Sequence, residues 1–232
     1  MGRLLDHVGE NFPSNTDHES QELITFLNHY SYQIARKHVS EFQRFDRIYC
    51  DGILLTWVLR VLGKNCHRKS FDMTSLAPVV FQNAVDKNLE VALVGGEEGV
   101  AKSAAGILES RFPGLRVGFT CSGFFESSKQ RHSVLRELAE ASPDIVICGM
   151  GTPYQEKFLL DLVDAGWIGS GYTCGGFFHQ TAKKGAEYYP SWVDRYNLRW
   201  AYRIYDEPKL FKRYSVGLVT FLYRLILDFS RK

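Results

Sequence analysis

Apolar positions are spaced unevenly along the chain, and the spacing divides it into three stretches. Residues 1–20 are polar, hold no apolar run, and predict a flexible N-terminus. From Gln21 the pattern becomes regular. Leu23–Leu27 (LITFL) is an apolar run of strand length, followed by Asn28. Ser31–Arg44 reads as helix, and Phe45–Cys50 ends in a short extended piece before Asp51-Gly52. Ile53–Leu62 (ILLTWVLRVL) is apolar at helical spacing and nearly all round, which predicts a buried helix. Farther on, Leu89–Val94, Leu115–Phe119, Asp144–Cys148 and Tyr172–Cys174 read as strands. Between them Gly99–Phe112, Gln130–Ala141 and Thr152–Ala165 read as helices. Strands alternating with helices predict an α/β fold with a Rossmann-like, mainly parallel sheet flanked by helices. The strands lack period-two alternation, as expected where both faces are covered.

The last stretch has another character. From Arg195 the cations Arg195, Arg199, Arg203, Lys209, Lys212, Arg213, Arg224, Arg231 and Lys232 face only Asp206, Glu207 and Asp228. Aromatic and aliphatic residues are interleaved with them. Residues 195–232 are therefore expected to form a helical appendage that associates with an anionic membrane surface, after an α/β core over 21–194 whose two lobes share a cleft. The alternatives are a helical pair packed on that core, or a contact in a homo-oligomer.

Composition narrows the function. With 232 residues, 45% hydrophobic and 23% charged, the chain is neither disordered nor fibrous. The 28 Lys+Arg and 26 Asp+Glu leave a formal charge of +2, too little for a chain-wide basic field, so nucleic acid is not an expected partner. Five cysteines form no CxxC pair, and seven histidines form no HxH or HxxxH pair. Neither a disulfide framework nor a metal site is expected, and a reduced compartment is the simplest reading. No signal peptide and no spanning helix of roughly 20 apolar residues is expected.

Three glycine turns each follow a predicted strand: Gly95-Gly96, Gly149-Met150-Gly151 and Gly175-Gly176. Ligands of open parallel sheets bind at the carboxyl ends of strands, where glycine lets the backbone approach and helix N-termini offer N–H groups to phosphate. Plain strand-to-helix turns are the competing reading. There is no GxGxxG, GxxxxGK[ST] or GxSxG. In GMGTPYQEK, Thr152 can cap a helix, Pro153 fits its first position and Gln155 completes a capping box. Asp51 is either an N-cap carboxylate or a general base at the rim of a cleft, and Asp72 has the same two readings. No Asp-x-Asp pair is present to hold a nucleotide-bound cation, so a nucleotide-diphosphate leaving group would rely on helix N-termini and Arg or Lys.

Taken in order, Asn28 after an apolar strand, Cys50-Asp51-Gly52, SFDMTSL, LVGG, GMGTPYQEKFL, CGGFF and LRWAYRIYDEPKLFKR resemble the WecG/TagA/CpsF glycosyltransferases of bacterial surface-polymer synthesis. The likeness runs from about Leu23 to Arg213. It implies an inverting, metal-independent transfer of a sugar from a UDP-sugar to a sugar on a polyprenyl diphosphate, at the cytoplasmic face of the bacterial plasma membrane. No cofactor is implied beyond the UDP-sugar co-substrate. In that likeness Asp51 is the catalytic base, with Asn28 and Gln155 near the reacting groups. Gly95, Gly96, Gly149, Gly151, Pro153, Tyr154, Glu156, Lys157, Gly175, Gly176, Phe178 and His179 would hold the donor nucleotide. Arg203, Lys212 and Arg213 would reach the lipid diphosphate, as guanidinium–phosphate geometry favours.

The sequence departs from the family pattern in several places. Phe26-Leu27-Asn28 stands for Thr-Pro-Asn, Cys50 for a common proline, His179 for aspartate, Tyr188-Tyr189-Pro190 for Arg-Ala-Pro, and Leu210 for a tail arginine. These changes point to another donor or acceptor, or to reduced activity. Two other readings stay open at this level: a nucleotide-dependent oxidoreductase on a Rossmann-like sheet, and a non-catalytic member that docks at the membrane.

Overall fold

In the computed structural model, residues 4, 8, 21–185, 190–196, 198–206, 208 and 211–230 are described. Six strands form one parallel sheet: β1 (Leu23–Leu27), β2 (Arg47–Cys50), β3 (Glu90–Gly95), β4 (Arg116–Cys121), β5 (Ile145–Gly149) and β6 (Ser170–Thr173). Their order is β2-β1-β6-β5-β3-β4. Because every strand is parallel, all six carboxyl ends lie along one edge. The α/β reading is borne out, and β1, β5 and β6 are buried at every position.

Alternate strand residues feed two cores. On one face Leu23, Leu27, Ala92, Val94, Val146 and Cys148 meet α1 (His29–Ala35), α2 (Val39–Phe42), α3 (Ile53–Val61), α6 (Ser128–Ala141), α7 (Tyr154–Asp164) and α11 (Phe211–Ser230). On the other, Ile24, Phe26, Val91, Leu93, Ile145 and Tyr172 meet α4 (Leu76–Asp86), α5 (Val100–Arg111) and α8 (Phe177–Lys184). This is a three-layer sandwich, which explains why the strands read as unbroken apolar runs. Two short helices, α9 (Ser191–Arg195) and α10 (Arg199–Asp206), precede α11.

Several expectations change. The helix expected over Ser31–Arg44 is two helices, because the chain breaks at Arg36–His38 and His38 becomes the N-cap of α2. Helix α4 was not legible from spacing, since Pro78 and a nearly all-apolar first turn mask it, although proline is tolerated in a first turn. Helix α3 is only half buried: Leu55, Thr56 and Leu59 face the core, while Ile53, Trp57 and Val61 are exposed. Within 1–20 only Leu4 and Val8 are described; both are buried, and Val8 bridges Ile48 in parallel.

The described residues after Arg195 are mostly helical, but α11 is built into the core. Phe221 is fully buried, meeting the rings of His29 at 6.2 Å and Tyr32 at 5.7 Å. Leu225 is buried beside it, and Gln33 Nε2 donates to the Gly217 carbonyl at 2.9 Å. Deleting everything from Arg195 would therefore open the core over α1, as well as removing surface cations. We expect Phe221→Ala to destabilise the protein by about 3–5 kcal/mol in urea unfolding. A change within about 0.5 kcal/mol is what a detached appendage would give.

Candidate active site

The register of β1 and β2 pairs Leu27 with Cys50, so the next residues of each strand, Asn28 and Asp51, emerge side by side at the carboxyl edge. Their closeness is visible at Gly52, where an added Cβ would lie 3.1 Å from the Asn28 Cβ. Asn28 caps α1: its Oδ1 accepts from Tyr30 N at 2.9 Å and Ser31 N at 3.0 Å, while Ser31 Oγ accepts from Asn28 N. The N-cap of α3 falls on Gly52, with no side-chain cap bond. The capping reading of Asp51 therefore fails by one residue. Asp51 lines a cleft of about 760 Å³ that runs along this edge of the sheet.

The opposite wall is made of the glycine turns. Gly95 and Gly149 pair across β3 and β5 so closely that a Cβ on Gly95 would sit 2.3 Å from the Gly149 oxygen. Gly96 N donates to that same oxygen at 3.1 Å. Gly151 and Gly175 have φ of +74° and +56°, where a Cβ would be strained.

These two turns are held by one side chain. The Gln155 Oε1 accepts from Gly151 N at 3.2 Å and from Gly175 N at 3.1 Å. Its Nε2 donates to Glu156 Oε1 at 3.1 Å. The same carboxylate oxygen accepts from Thr25 Oγ1 at 2.9 Å and Thr152 Oγ1 at 3.2 Å. Thr173 Oγ1 lies 2.9 Å from Thr25 Oγ1, whose proton is already committed, so Thr173 donates to it. The cap of α7 is Pro153, without a side-chain bond, so the expected capping box of Thr152 and Gln155 is not formed. Its hydroxyl and amide serve the buried carboxylate instead. Burial pushes the Glu156 carboxyl above the ordinary glutamate range, partly offset by its hydrogen bonds from Gln155, its own backbone, Thr25 and Thr152. Its Oε2 has no hydrogen-bond partner among the described residues.

A second polar knot sits at the cleft wall. Asp72 accepts from Ser70 Oγ, from Thr74 N and Oγ1, and from Arg199 Nη1 at 2.5 Å; Arg199 Nη2 also donates to Thr74 Oγ1. Burial acts to raise the Asp72 carboxyl, but Arg199, Ser70 and Thr74 outweigh it and hold it below the ordinary range. Helix α10 is thereby tied to the loop before α4.

Of the residues singled out from sequence, Asn28, Asp51, Gln155, Gly96, Gly149, Gly151, Gly175, Gly176 and His179 line the cleft. Gly95, Pro153, Tyr154, Glu156, Lys157 and Phe178 lie outside its wall. Phe178 and Glu156 are fully buried, and Tyr154 points to solvent. The N–H groups of Gly96, Gly151 and Gly175 are spent on internal acceptors, so these turns shape the wall. Arg203, Lys212 and Arg213 fall in α10 and α11, but their side chains lie outside the described residues, as do Tyr188 and Tyr189 entirely. Spacing alone missed Arg68, Ser70, Gln180, Arg199, Trp57 and Trp200 in the wall. Among the described residues no three His, Cys, Asp or Glu side chains come together to hold a metal ion. A separate groove of about 630 Å³ between α6 and α7 is flanked by the Arg131–Asp161 ion pair and includes no glycine turn.

A family model described as "Glycosyl transferase WecG/TagA/CpsF family" matches residues 3–232. The chain is 36% identical over 207 residues to a UDP-Gal:alpha-D-GlcNAc-diphosphoundecaprenol beta-1,4-galactosyltransferase of Shigella boydii, covering 89% of this chain and 86% of that one. It is 31% identical over 133 residues to an N-acetylglucosaminyldiphosphoundecaprenol N-acetyl-beta-D-mannosaminyltransferase of Bacillus subtilis (strain 168), covering 55% and 48%. A protein of the same name from Bacillus spizizenii is 27% identical over 177 residues, covering 72% and 63%.

Replacing Gln155 by Glu would set two carboxyl groups in contact in a dry site, where only one can ionise. We expect the melting temperature of Gln155→Glu to fall between about pH 5 and about pH 8, by several degrees more than that of the unaltered protein. Asp72 gives the opposite sign. Its lowered value contributes stability that is present above the ordinary aspartate range and lost as pH falls through the lowered value. Asp72→Asn should cost about 2 kcal/mol near neutral pH, with the difference shrinking in strong acid, as read by denaturant melts across pH.

Proposed function

The chain belongs to the WecG/TagA/CpsF glycosyl transferase family, and from that premise we propose that it moves a sugar from a UDP-sugar to an N-acetylglucosaminyl residue carried on a polyprenyl diphosphate. It is a glycosyltransferase, which sets aside the oxidoreductase reading. The named acceptor of all three relatives is a GlcNAc-diphosphoundecaprenol, and the Shigella relative's donor is UDP-galactose.

One observation supports the chemistry most: Asp51, at the end of β2, stands beside Asn28 on the wall of the cleft. In the proposed reaction the Asp51 carboxylate takes the proton of the acceptor hydroxyl as its oxygen bonds to the anomeric carbon. The bond from that carbon to the β-phosphate oxygen breaks, and UDP departs with the electron pair. Attack and departure on opposite faces invert the configuration. A β-linked product from UDP-galactose, whose sugar is α-linked to phosphate, is the outcome such an attack gives.

The reaction is proposed to run without a metal ion. Since three of the glycine N–H groups are committed internally, the charge of UDP would fall to cations in the wall, of which Arg68 is one. Arg203, Lys212 and Arg213 remain proposed partners of the acceptor diphosphate. The protein is proposed to work as a peripheral protein at the cytoplasmic face of the membrane. Among the described residues no helix is long and apolar enough to cross one.

Transfer is measured from a panel of UDP-sugars, UDP-galactose included, to a GlcNAc-diphospholipid, in buffer with EDTA. We expect product with one donor, and a matching thermal shift that follows the donor's occupancy. Asp51→Asn should lower kcat by about 10²–10⁴-fold while leaving the UDP-induced shift in place. Undiminished transfer by Asp51→Asn would remove the base from the mechanism.

A further inference from the structure

Helix α3 breaks the rule that an apolar helix buries itself. Its inner side fills the core with Leu55, Thr56 and Leu59. Its outer side carries Ile53, Trp57 and Val61 at i, i+4 and i+8, exposed by 38%, 67% and 76%. Exposed Trp in line with two aliphatic residues costs solubility unless something meets it.

The segment that carries this stripe is basic, between Asp51 and Asp72. Residues 53–71 include Arg60, Lys64, Arg68 and Lys69, with His67, and not one Asp or Glu. Without these four cations the chain would hold 24 Lys+Arg against 26 Asp+Glu, a net −2. The exposed Arg60 is oriented: its Nε donates to the Cys66 carbonyl at 2.7 Å, and its Nη2 lies 2.7 Å from His67 Nδ1. Cys66 and His67 are thus held against α3, and Arg68, bridged to Cys50 at the end of β2, shares the cleft wall with Ile53 and Trp57. A protein partner would have to be both apolar and uniformly acidic. An anionic bilayer offers both properties at any orientation about its normal, and Trp with flanking Lys and Arg is the side-chain set that suits its interface.

The stripe is continuous with the active-site cleft. Ile53 and Trp57 belong to both, and Leu54, Arg68, Trp200 and Leu218 stand at the cleft wall as well. We propose that the outer face of α3 and the 63–69 turn form a membrane contact that sets the cleft mouth against an anionic lipid surface, in addition to any contact made by the C-terminal helices. This deepens the transferase reading, on which it rests for the use of such a contact; binding itself requires no substrate.

The test is vesicle co-sedimentation of the full chain, without donor or acceptor, on phosphatidylcholine with and without about one-third phosphatidylglycerol. A failed transferase assay leaves this measurement intact, and the reverse also holds. The double variant Val61→Ser/Lys64→Glu touches neither the cleft wall nor the core. It should bind phosphatidylglycerol vesicles about tenfold or more weakly than the unaltered chain, with an unchanged melt. Trp57→Ser provides a second, independent variant, expected to weaken binding severalfold. Absence of binding by the unaltered chain overturns the proposal. So does full binding by both variants, whether or not a variant of exposed Tyr205 in α10 then loses it. Unchanged vesicle binding with a shift from dimer to monomer in light scattering would assign the face to a second copy of the chain instead, and would likewise overturn it.

Discussion

A carboxyl group buried without water must collect its hydrogen bonds from whatever surrounds it, and whatever it collects from is then fixed. Glu156 is in that position. Its one partnered oxygen gathers Thr25 from β1, Thr152 from the turn before α7 and Gln155 from α7, with Thr173 of β6 joined through Thr25. Gln155, held by its amide nitrogen, is left with its oxygen turned to the two glycine turns. Two strands, one helix and two loops are thereby locked to one another under the floor of the cleft. Asn28 and Asp51 follow β1 and β2, and β1 is tied to this knot through Thr25. The spacing between the two walls is therefore set from beneath, by a buried carboxylate and the Thr25 hydroxyl, neither of which lines the cleft.

Much of this was legible in the chain and some was hidden for physical reasons. Unbroken apolar runs announced a sheet covered on both faces, and Leu23–Leu27 and Asp144–Cys148 fall within a residue of the observed strands. The junctions that carry Asn28, Asp51 and the glycine turns were legible because strand ends demand small or capping residues there. Side-chain direction was not. Glu156 and Lys157 follow Gln155 in one polar run, yet one is fully buried and the other half exposed, and only tertiary packing decides which. Phe178 sits in a motif that suggests ligand contact, while the closeness of its ring to Gly149 makes it core. Arg199 reaches Asp72 across 127 positions, a pairing no local pattern encodes.

The departures from the family pattern take on meaning in this setting. Phe26 and Leu27 point to opposite faces of β1. Leu27 fills the core beneath α1 and α3, while Phe26 packs near Phe71 and Tyr49 and also reaches the cleft wall. The loss of a threonine hydroxyl there exchanges a hydrogen-bonding group for aromatic surface. Discrimination among sugars depends on which hydroxyls find partners. The hydroxyl and amide groups of Ser70, Thr152 and Gln180 remain in the wall, beside the imidazole of His179.

Whether the C-terminal helices pack on the core or face a membrane is a false choice for α11. A 20-residue helix has room for two apolar faces. Phe221 and Leu225, four apart, take the inner one against His29 and Tyr32. Val219, Leu222 and Tyr223 remain exposed on the outer side. The inner face anchors α11 beside α1, whose cap is Asn28 itself, so the helix cannot be moved without disturbing the site. Leu218 of α11 and Trp57 of α3 both reach the same cleft wall. Two half-exposed apolar helices from distant parts of the chain therefore converge on one opening, and an acceptor whose sugar must enter while its lipid stays outside needs an opening with apolar surroundings of that kind.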